Sequence, residues 1–385
     1  MRVFLIAGEP SGDRLGGALM EGLRQLAPGI SFEGVGGPLM QAQGMTSLFP
    51  MEELSVMGLA EVLPKYRHLK RRITETARAA LDSKPDVLIS IDSPDFCLRV
   101  ARLVKAESAI RTVHYVAPTV WAWRPGRAAK MAQVIDQVLA LFPFEPPYME
   151  AAGMECDFVG HPVVSEPVAD ATDVAAFRAE AGLGEAPYLL VLPGSRRGEV
   201  GRLVQPFGDA LRRFIPQHPN MRVVVPAAGH VAPMVREAVQ DWPGNPVVLD
   251  PNDTTPDLAV RRKRAAFAGA DLALAASGTV SLELAAARTP MVIAYTFHWL
   301  TWQIMRRMAL IDTVTLVNLV SETRVVPECL GPDCRGELIS ARLGEVQAAP
   351  DAQAEAMALT MERLGQGDEA PGLRAARAVL ARLPN

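Results

Sequence analysis

The sequence is poor in the residues from which disulfides and metal sites are built. Its 385 residues include four cysteines and six histidines. The cysteines stand at positions 97, 156, 329 and 334, without CxxC spacing and without neighbouring histidines. We therefore expect reduced thiols in a cytoplasmic protein. The His, Asp and Glu residues do not form a cluster with metal-ligand spacing either. We expect no metal and no cofactor.

Two further absences exclude classes of protein. The formal net charge of −4 argues against a general nucleic-acid binder, and we expect no nucleic-acid partner. The loop after the first strand-like run reads Gly8-Glu9-Pro10-Ser11-Gly12-Asp13. This loop is not GxGxxG, so the dinucleotide-binding fingerprint is absent.

We expect neither a signal peptide nor a membrane-spanning run. Met1-Arg2 leads directly into the strand-like run Val3–Ala7. The longest stretch without Asp, Glu, Lys or Arg, Thr289–Met305, approaches the lower length limit of a transmembrane helix. It contains Pro290 and His298, and its first half is typical of a strand. We therefore expect no spanning segment, while contact with a membrane surface stays open.

What the sequence does contain is a regular alternation of apolar strand-like runs and helical patterns. Strands are predicted at Arg2–Ala7, Ser31–Val35, Pro85–Ile91, Arg111–Val116, Gln137–Ala140, Cys156–Val159, Leu189–Leu192, Arg222–Val225, Val247–Leu249, Leu272–Ala275 and Met291–Ala294. This alternation predicts an α/β protein with mainly parallel sheets and helices on both faces.

The length of the chain, and a change in its composition after residue 162, predict two doubly wound Rossmann-like domains that face a cleft. A region rich in Pro, Ala and Asp follows Gly160-His161-Pro162, and we place the linker there. The predicted domains are 1–165 and 166–350. We expect residues 351–385 to form helices that pack against the N-terminal domain or against a partner subunit, as in a homodimer.

One loop near the middle of the chain has the composition of an anion site. Gly194, Ser195 and Arg196 lie between an apolar run and a helical pattern that begins near Glu199. Backbone N–H groups at such a junction suit anions, and an arginine fork suits phosphate. A turn with solvated arginines is the alternative, and the loop alone does not decide between the two.

A second loop of this kind contains Ser277, Gly278 and Thr279. Their N–H groups and hydroxyls would hold phosphate oxygens at a helix start. Glu283 falls about one turn into that helix and could accept two ribose hydroxyls. The alternative is helix capping, with Glu283 favourable near the N-terminus. The charge run 261–264 is interpreted as a solvated helix end.

Asp92 directly follows the buried strand-like run Pro85–Ile91. Ligands of open α/β sheets bind at the carboxyl ends of the strands, so a carboxylate there is a candidate catalytic group. A structural role is the alternative, and the residues leave both open.

Residues 48–63 are dense in apolar side chains, and a basic cluster, Lys65–Arg72, follows at once. This combination predicts an interfacial element on anionic lipid. The predicted membrane and acyl-chain contacts are Val56, Met57, Leu59, Val62 and Leu63. A buried loop before a solvated basic helix is the alternative. The helical pattern Phe297–Leu310 allows the same two interpretations, a bilayer contact or core packing.

Taken together in order, several motifs of the chain resemble the lipid-A-disaccharide synthases, glycosyltransferase family 19. The matching stretches are Gly8–Asp13, Met51–Gly58, Ile91–Phe96, His114–Arg124, Phe142–Glu145, Phe158–Pro162, Leu192–Arg196, Ala276–Thr279 and Asn318-Leu319. They extend over nearly the whole chain, although the C-terminal third matches more weakly. Pro10 is a departure, since other members have alanine there, but the glycines of that loop are intact.

The resemblance implies a GT-B fold and a peripheral enzyme of the inner membrane of a Gram-negative bacterium. It implies an inverting transfer between UDP-2,3-diacylglucosamine and 2,3-diacylglucosamine 1-phosphate. The products would be a β-1,6-linked disaccharide phosphate and UDP. By position, Asp92 matches the essential aspartate of the family, Arg196 its essential arginine and Asn318 its active-site asparagine. Glu283 matches more loosely the ribose-binding glutamate of related GT-B enzymes.

The remaining expected substrate contacts belong to the three Gly-containing loops. They are Glu9, Ser11, Gly12, Asp13, Gly194, Ser195, Ser277, Gly278 and Thr279. Two other functions fit the same plan: a UDP-sugar 2-epimerase of GT-B fold, and a nucleotide-sugar-binding module without catalysis. The epimerase would need no lipid surface, and the binding module would tolerate loss of Asp92.

Overall fold

The chain forms two compact α/β units in the computed structural model. The structure describes residues 1–54 and 59–383, and of residues 59–65, 299 and 300 it describes the backbone alone. The first unit contains Met1–Ser165 together with the chain from Leu364 on. The second unit contains Glu166–Arg363.

The first unit is built on a six-stranded sheet. Its strands are β1 (Arg2–Ala7), β2 (Ser31–Val35), β3 (Val87–Ile91), β4 (Arg111–Tyr115), β5 (Gln137–Ala140) and β6 (Glu155–Phe158). Its helices up to residue 165 are α1 (Pro10–Leu26), α2 (Pro38–Ala42), α3 (Leu59–Ser83), α4 (Pro94–Glu107), α5 (Gly126–Met131) and α6 (Pro146–Glu150). The strand order is β2-β1-β3-β4-β5-β6, and every neighbouring pair is parallel.

The second unit has a sheet of the same size. Its strands are β7 (Tyr188–Leu192), β8 (Arg222–Pro226), β9 (Val247–Leu249), β10 (Leu272–Ala275), β11 (Met291–Tyr295) and β12 (Glu328–Leu330). Its helices are α7 (Ala171–Glu180), α8 (Arg197–Phe214), α9 (Ala232–Ala238), α10 (Pro256–Ala268), α11 (Val280–Ala286), α12 (Trp299–Met308), α13 (Leu316–Ser321), α14 (Gly336–Ala348) and α15 (Ala354–Arg363). The strand order is β12-β11-β10-β7-β8-β9, again with parallel neighbours.

The last helix, α16 (Pro371–Ala381), belongs to the first unit and packs on α1. Two glycines allow this close approach. A Cβ atom on Gly372 would lie 2.6 Å from the carbonyl oxygen of Ala18, and one on Gly22 would lie 2.8 Å from the carbonyl oxygen of Gly372. A larger residue at either position would push the two helices apart.

The predicted α/β class with parallel sheets is confirmed. The predicted strands are all present and differ only at their ends, because the central strands of a parallel sheet are buried on both faces and form continuous apolar runs. Strand β12 was not predicted, since its three residues at the sheet edge carry no periodic pattern. None of the helices that the structure describes is both long and apolar enough to cross a bilayer.

Each sheet has one point at which the strand order reverses. In the first unit β2 lies on one side of β1, while β3 and all later strands lie on the other. In the second unit the same reversal occurs between β7 and β10. The loops that leave the two central strands diverge at such a point and open a crevice, which is where doubly wound folds bind ligands.

Glu145 is a buried carboxyl group beside the carboxyl end of β5. It is 2% exposed and accepts hydrogen bonds from the backbone N–H groups of Leu141 (3.1 Å) and Phe142 (3.0 Å) and from the indole of Trp121 (3.2 Å). Burial raises the pKa of Glu145 to about 7, although the three donors act in the opposite direction.

This shift predicts a pH-dependent contribution to stability that a Glu145→Gln variant lacks. The folded state binds the Glu145 proton more tightly than the unfolded state does. The contribution is therefore fully present below the unfolded pKa of about 4.5 and is lost as the pH rises through 7. We expect the free energy of unfolding of the wild type, relative to Glu145→Gln, to fall by about 2–3 kcal/mol between pH 5 and pH 8.

Urea unfolding of both proteins across this pH range measures the difference. Burial also lowers the pKa of His114 and of His161 to about 4, but both proteins contain these histidines, so their titration cancels. Parallel stability curves for the two proteins would contradict the prediction.

Candidate functional site

The crevice of the first unit lies where β1 and β3 end side by side. Ala7 and Ile91 are paired across these strands, so Gly8 and Asp92 follow at the same edge of the sheet. A Cβ atom on Gly8 would lie 2.7 Å from the hydroxyl oxygen of Ser93. The glycine therefore lets the loop after β1 lie against the turn after β3.

Asp92 occupies a strained position in this crevice. Its φ is +51° and that of Ser93 is +44°, so two consecutive residues adopt the left-handed conformation that non-glycine residues rarely use. The backbone N–H of Asp92 donates to the carbonyl of Tyr115 at 2.9 Å. Its carboxylate is half-buried and has no hydrogen-bond partner among the described residues. Strain of this kind concentrates at functional sites.

The predicted substrate contacts after β1 lie at the start of a helix and not in a loop. Helix α1 begins at Pro10, so Ser11, Gly12 and Asp13 lie in its first turn, and Glu9 is its N-cap residue. Ser11 is exposed and Glu9 is half-buried, while Gly12 is buried.

Asp13 is 3% exposed and is already hydrogen-bonded inside the first unit. Its carboxylate accepts from the backbone N–H groups of Gly37 (2.9 Å), Leu39 (2.9 Å) and Met40 (3.0 Å). These donors lie at the start of α2, where backbone N–H groups have no partner within the helix. Asp13 thus holds α2 against α1, and its role towards substrate stays a prediction.

The crevice of the second unit is a cavity of about 890 Å³. It brings together predicted residues from both anion-type loops, namely Gly194, Ser195, Arg196, Ser277, Gly278 and Thr279. Glu283 lines the same cavity. In the described part of the chain, no group of three or more His, Cys, Asp or Glu side chains is placed to hold a metal ion.

The two loops of this cavity differ in whether their N–H groups are occupied. At the start of α8, the carboxylate of Glu199 accepts from the backbone N–H groups of Ser195 (3.2 Å) and Arg196 (3.3 Å). It also accepts from Nη1 of Arg196 at 3.2 Å. For these two N–H groups the expectation of free donors is therefore wrong, because the carboxylate of Glu199, in the first turn of α8, satisfies them as in a capping box.

At the start of α11 the N–H groups are open. Across the ranges that the structure describes, the backbone N–H groups of Ser277, Gly278 and Thr279 have no acceptor. The side chains of Ser277 and Thr279 have no hydrogen-bond partner among the described residues either, and both Gly278 and Thr279 are exposed. Gly278 has a φ of +151°, which favours glycine. This loop has the donors that an anion needs.

Glu283 has a partner that the sequence did not indicate. Lys263 of α10 forms an ion pair with it at 2.5 Å, and both side chains are partly exposed. Lys263 and Arg262 line the cavity, and Arg262 pairs with Glu180. Residues of the charge run 261–264 therefore line the cavity and form an ion pair with α7. The local sequence could not indicate these contacts.

Asn318 is buried in α13 and all of its hydrogen-bonding groups are used there. Its amide nitrogen donates to the carbonyl of Val326 (2.9 Å) and to the hydroxyl of Thr313 (3.3 Å), and its oxygen accepts from the N–H of Val326 (3.0 Å). These bonds connect the segments before and after α13. They favour a positioning role, and the predicted role in the reaction remains untested.

The predicted acyl contacts lie outside what the structure describes. Val56 and Met57 fall outside the described residues, and the side chains of Leu59, Val62 and Leu63 fall outside them as well. Their described neighbours divide into a buried set, which is Phe49, Met51 and Leu54, and an exposed set, which is Tyr66, Arg67, Lys70 and Arg71.

The buried set is joined to α3 by Arg72. Its guanidinium forms two hydrogen bonds with the carboxylate of Glu53 (2.7 and 2.8 Å) and lies 4.2 Å from the ring centroid of Phe49. Phe49, Met51 and Leu54 of the predicted interfacial element are therefore core, whereas its first residue, Leu48, is 42% exposed. The basic residues on the exposed face of α3 remain available to an anionic surface.

Comparison with known proteins assigns the chain to a family. The family model described as lipid-A-disaccharide synthetase matches residues 3–370. A lipid-A-disaccharide synthase of Ruegeria pomeroyi is 72% identical over 384 residues, covering 100% of this chain and 96% of the relative. One of Rhodospirillum centenum is 49% identical over 384 residues, covering 98% and 94%.

Solved structures confirm the predicted GT-B fold. A Staphylococcus aureus MnaA–UDP structure superposes with a TM-score of 0.66, covering 98% of this chain and 94% of that chain at 13% identity. The UDP-GlcNAc 2-epimerase of Neisseria meningitidis bound to UDP-GlcNAc gives 0.64, covering 100% and 99% at 14% identity. At such low identity the likeness concerns the fold alone, so it does not favour the epimerase. By its sequence, the chain belongs to the lipid-A-disaccharide synthetase family, glycosyltransferases that form the disaccharide of lipid A.

Proposed function

We propose that the donor is UDP-2,3-diacylglucosamine and that the acceptor is 2,3-diacylglucosamine 1-phosphate. The products are then the β-1,6-linked disaccharide 1-phosphate and UDP. The observation that carries this proposal is the cavity of the second unit, where open N–H groups, an arginine and a carboxylate line one space. These are the groups that a nucleotide diphosphate and its ribose require.

On the donor side, the diphosphate binds at the start of α11. The N–H groups of Ser277, Gly278 and Thr279 have no acceptor within the described residues, whereas those of Ser195 and Arg196 are taken by Glu199. Arg196 contributes its side chain instead. Its Nη1 is bonded to Glu199, and the remaining edge of the guanidinium is available to a phosphate oxygen.

On the acceptor side, Asp92 acts as the general base. The oxygen of the acceptor 6-hydroxyl attacks the anomeric carbon of the donor while its proton passes to the carboxylate of Asp92. The bond between the anomeric carbon and the β-phosphate oxygen breaks in the same displacement, so the configuration inverts. UDP leaves with the negative charge, which Arg196 and the N–H groups at α11 stabilise.

We propose that the enzyme acts at the surface of the inner membrane, on its cytoplasmic side. Both proposed substrates carry acyl chains, and each buried methylene contributes about 0.8 kcal/mol to binding. The exposed residues Arg67, Lys70 and Arg71 would each add about 1 kcal/mol on anionic lipid. Residues 55–63 supply the apolar side chains next to them in the sequence.

An assay with both proposed substrates tests the function and the role of Asp92 together. We expect the wild type to form the disaccharide phosphate, detected by mass spectrometry. We expect Asp92→Asn to lower turnover by about 10²–10⁴-fold, because an amide cannot accept the proton. UDP affinity should be unchanged, since the nucleotide is assigned to the other unit.

Asp95→Asn is a matched control, because Asp95 is an exposed carboxylate in the first turn of α4. It should retain activity. Near-normal turnover in Asp92→Asn would contradict the role of Asp92 as the base, and no product from the wild type would contradict the proposed substrates.

Arg196→Ala should weaken UDP binding, measured by calorimetry. A hydrogen bond to a charged group is worth about 1.5–3 kcal/mol, which corresponds to about a ten- to hundredfold change in affinity. The neighbouring Arg197→Ala is the control for general electrostatics, since Arg197 is exposed and does not line the cavity. Equal losses in the two variants would mean that only net charge matters.

The double substitution Val56→Ser with Met57→Ser should reduce sedimentation with anionic vesicles and leave the melting temperature nearly unchanged. If these residues were core instead, buried hydroxyls and lost contacts would destabilise the protein by several kcal/mol. A large fall in melting temperature together with unaltered vesicle binding would refute the membrane contact. Phe49→Ser provides the core reference, because Phe49 is 5% exposed.

A further inference from the structure

The carboxylate of Glu199 is held unusually firmly for a residue in a ligand cavity. Its side chain is 12% exposed, while that of its partner Arg196 is 61% exposed. Besides the loop N–H groups and Arg196, it accepts a hydrogen bond from the hydroxyl of Tyr295 at 3.3 Å. Burial and the charge of Glu199 raise the pKa of Tyr295, so this hydroxyl stays protonated and able to donate.

Gly194 shows that the backbone is adapted to this carboxylate. Its φ is +107°, and a Cβ atom there would lie 2.7 Å from Cβ of Glu199 and 2.8 Å from its Oε2. Any side chain at position 194 would therefore displace Glu199. A carboxylate enclosed in this way does not exchange places with an incoming phosphate at low cost.

Glu199 uses its two oxygens for different purposes. Oε2 accepts from the backbone N–H groups of Ser195 and Arg196, which caps α8. Oε1 accepts from Nη1 of Arg196 and from Tyr295. The bonds to Oε1 are not needed for the cap. The bond from Nη1 restrains the long, exposed side chain of Arg196, which would otherwise lose its rotational freedom only when a ligand binds.

We propose that Glu199, itself held by Tyr295, is a positioning residue that orients the guanidinium of Arg196 for the reaction. Its carboxylate holds Nη1, so the unbonded edge of the fork is presented to the leaving group. This inference rests on the proposed function. It predicts a loss in turnover without a loss in UDP affinity, because Glu199→Gln keeps the guanidinium and removes a negative charge near the diphosphate.

Glu199→Gln separates this role from the cap. The amide oxygen can still accept from the N–H groups of Ser195 and Arg196, but the amide nitrogen cannot accept from Nη1. We expect kcat to fall by about ten- to a hundredfold, with UDP affinity equal to that of the wild type or tighter and a nearly unchanged melting temperature. Tyr295→Phe should lower kcat in the same direction by a smaller factor.

A double-mutant cycle supplies the decisive measurement. If Glu199 acts through Arg196, adding Glu199→Gln to Arg196→Ala should lower kcat no further. Glu345→Gln is the matched control, since Glu345 also pairs with an arginine three residues away, Arg342 at 2.6 Å, and neither residue lines the cavity. That variant should keep the wild-type kcat.

The outcomes distinguish this inference from the proposed function. Equal losses from Glu199→Gln in the wild-type and Arg196→Ala backgrounds would overturn it, as would an unchanged kcat in the single variant. A lower melting temperature with normal turnover per folded molecule would reduce Glu199 to a helix cap and also overturn it. A wild type that forms no disaccharide would overturn the inference together with the proposed function.

Discussion

The parallel pairing of β1 with β3, and of β7 with β10, is the constraint on which the rest of the structure depends. In each sheet these are the neighbours whose following connections run in opposite directions. The helices that follow these strands therefore lead away in opposite directions, and the residues at the strand ends lie in the crevice between them. Asp92 in one unit and Ser277 in the other owe their accessibility to this arrangement rather than to any local sequence feature.

The two helix starts in the second unit show two solutions to the same problem. The first N–H groups of a helix have no partner within it, and leaving them unpaired costs free energy unless water or another group pairs with them. At α8 the chain supplies its own acceptor, Glu199. At α11 it supplies none among the described residues, and the N–H groups of Ser277, Gly278 and Thr279 are left to solvent or ligand. The second loop is therefore the one suited to a diphosphate.

The positions of the loops could be predicted from the sequence, but the hydrogen-bond partners of their residues were not. Buried strands appear as apolar runs, so the ends of the strands, and with them Asp92 and the loops at 194 and 277, were located correctly. The capping role of Glu199 could have been predicted, because a glutamate at the third position of a helix is a capping-box signal. The signal was missed because the N-cap residue is Arg196, whereas a capping box normally has serine or threonine there.

Other features depend on contacts between distant segments. The pair of Lys263 with Glu283 joins two helices that lie on either side of a strand in the chain. Asp13 of α1 accepts hydrogen bonds from backbone N–H groups at the start of another helix, α2. Spacing along the chain carries no information about such partners, since each depends on how helices pack on the sheet.

Two of the cations that line the cavity of the second unit are already paired with carboxylates. Arg196 is paired with Glu199 and Lys263 with Glu283, so neither cation stands alone before a ligand arrives. In a partly enclosed site an ion pair is less costly than an isolated charge, because the attraction between its members offsets part of the desolvation energy. On the proposed function, a diphosphate meets the unbonded edge of Arg196, while a ribose diol must share Glu283 with Lys263. A nucleoside diphosphate carries both groups and gains both contacts, whereas free phosphate or a free ribose gains only one. The cavity therefore favours the complete nucleotide over its parts.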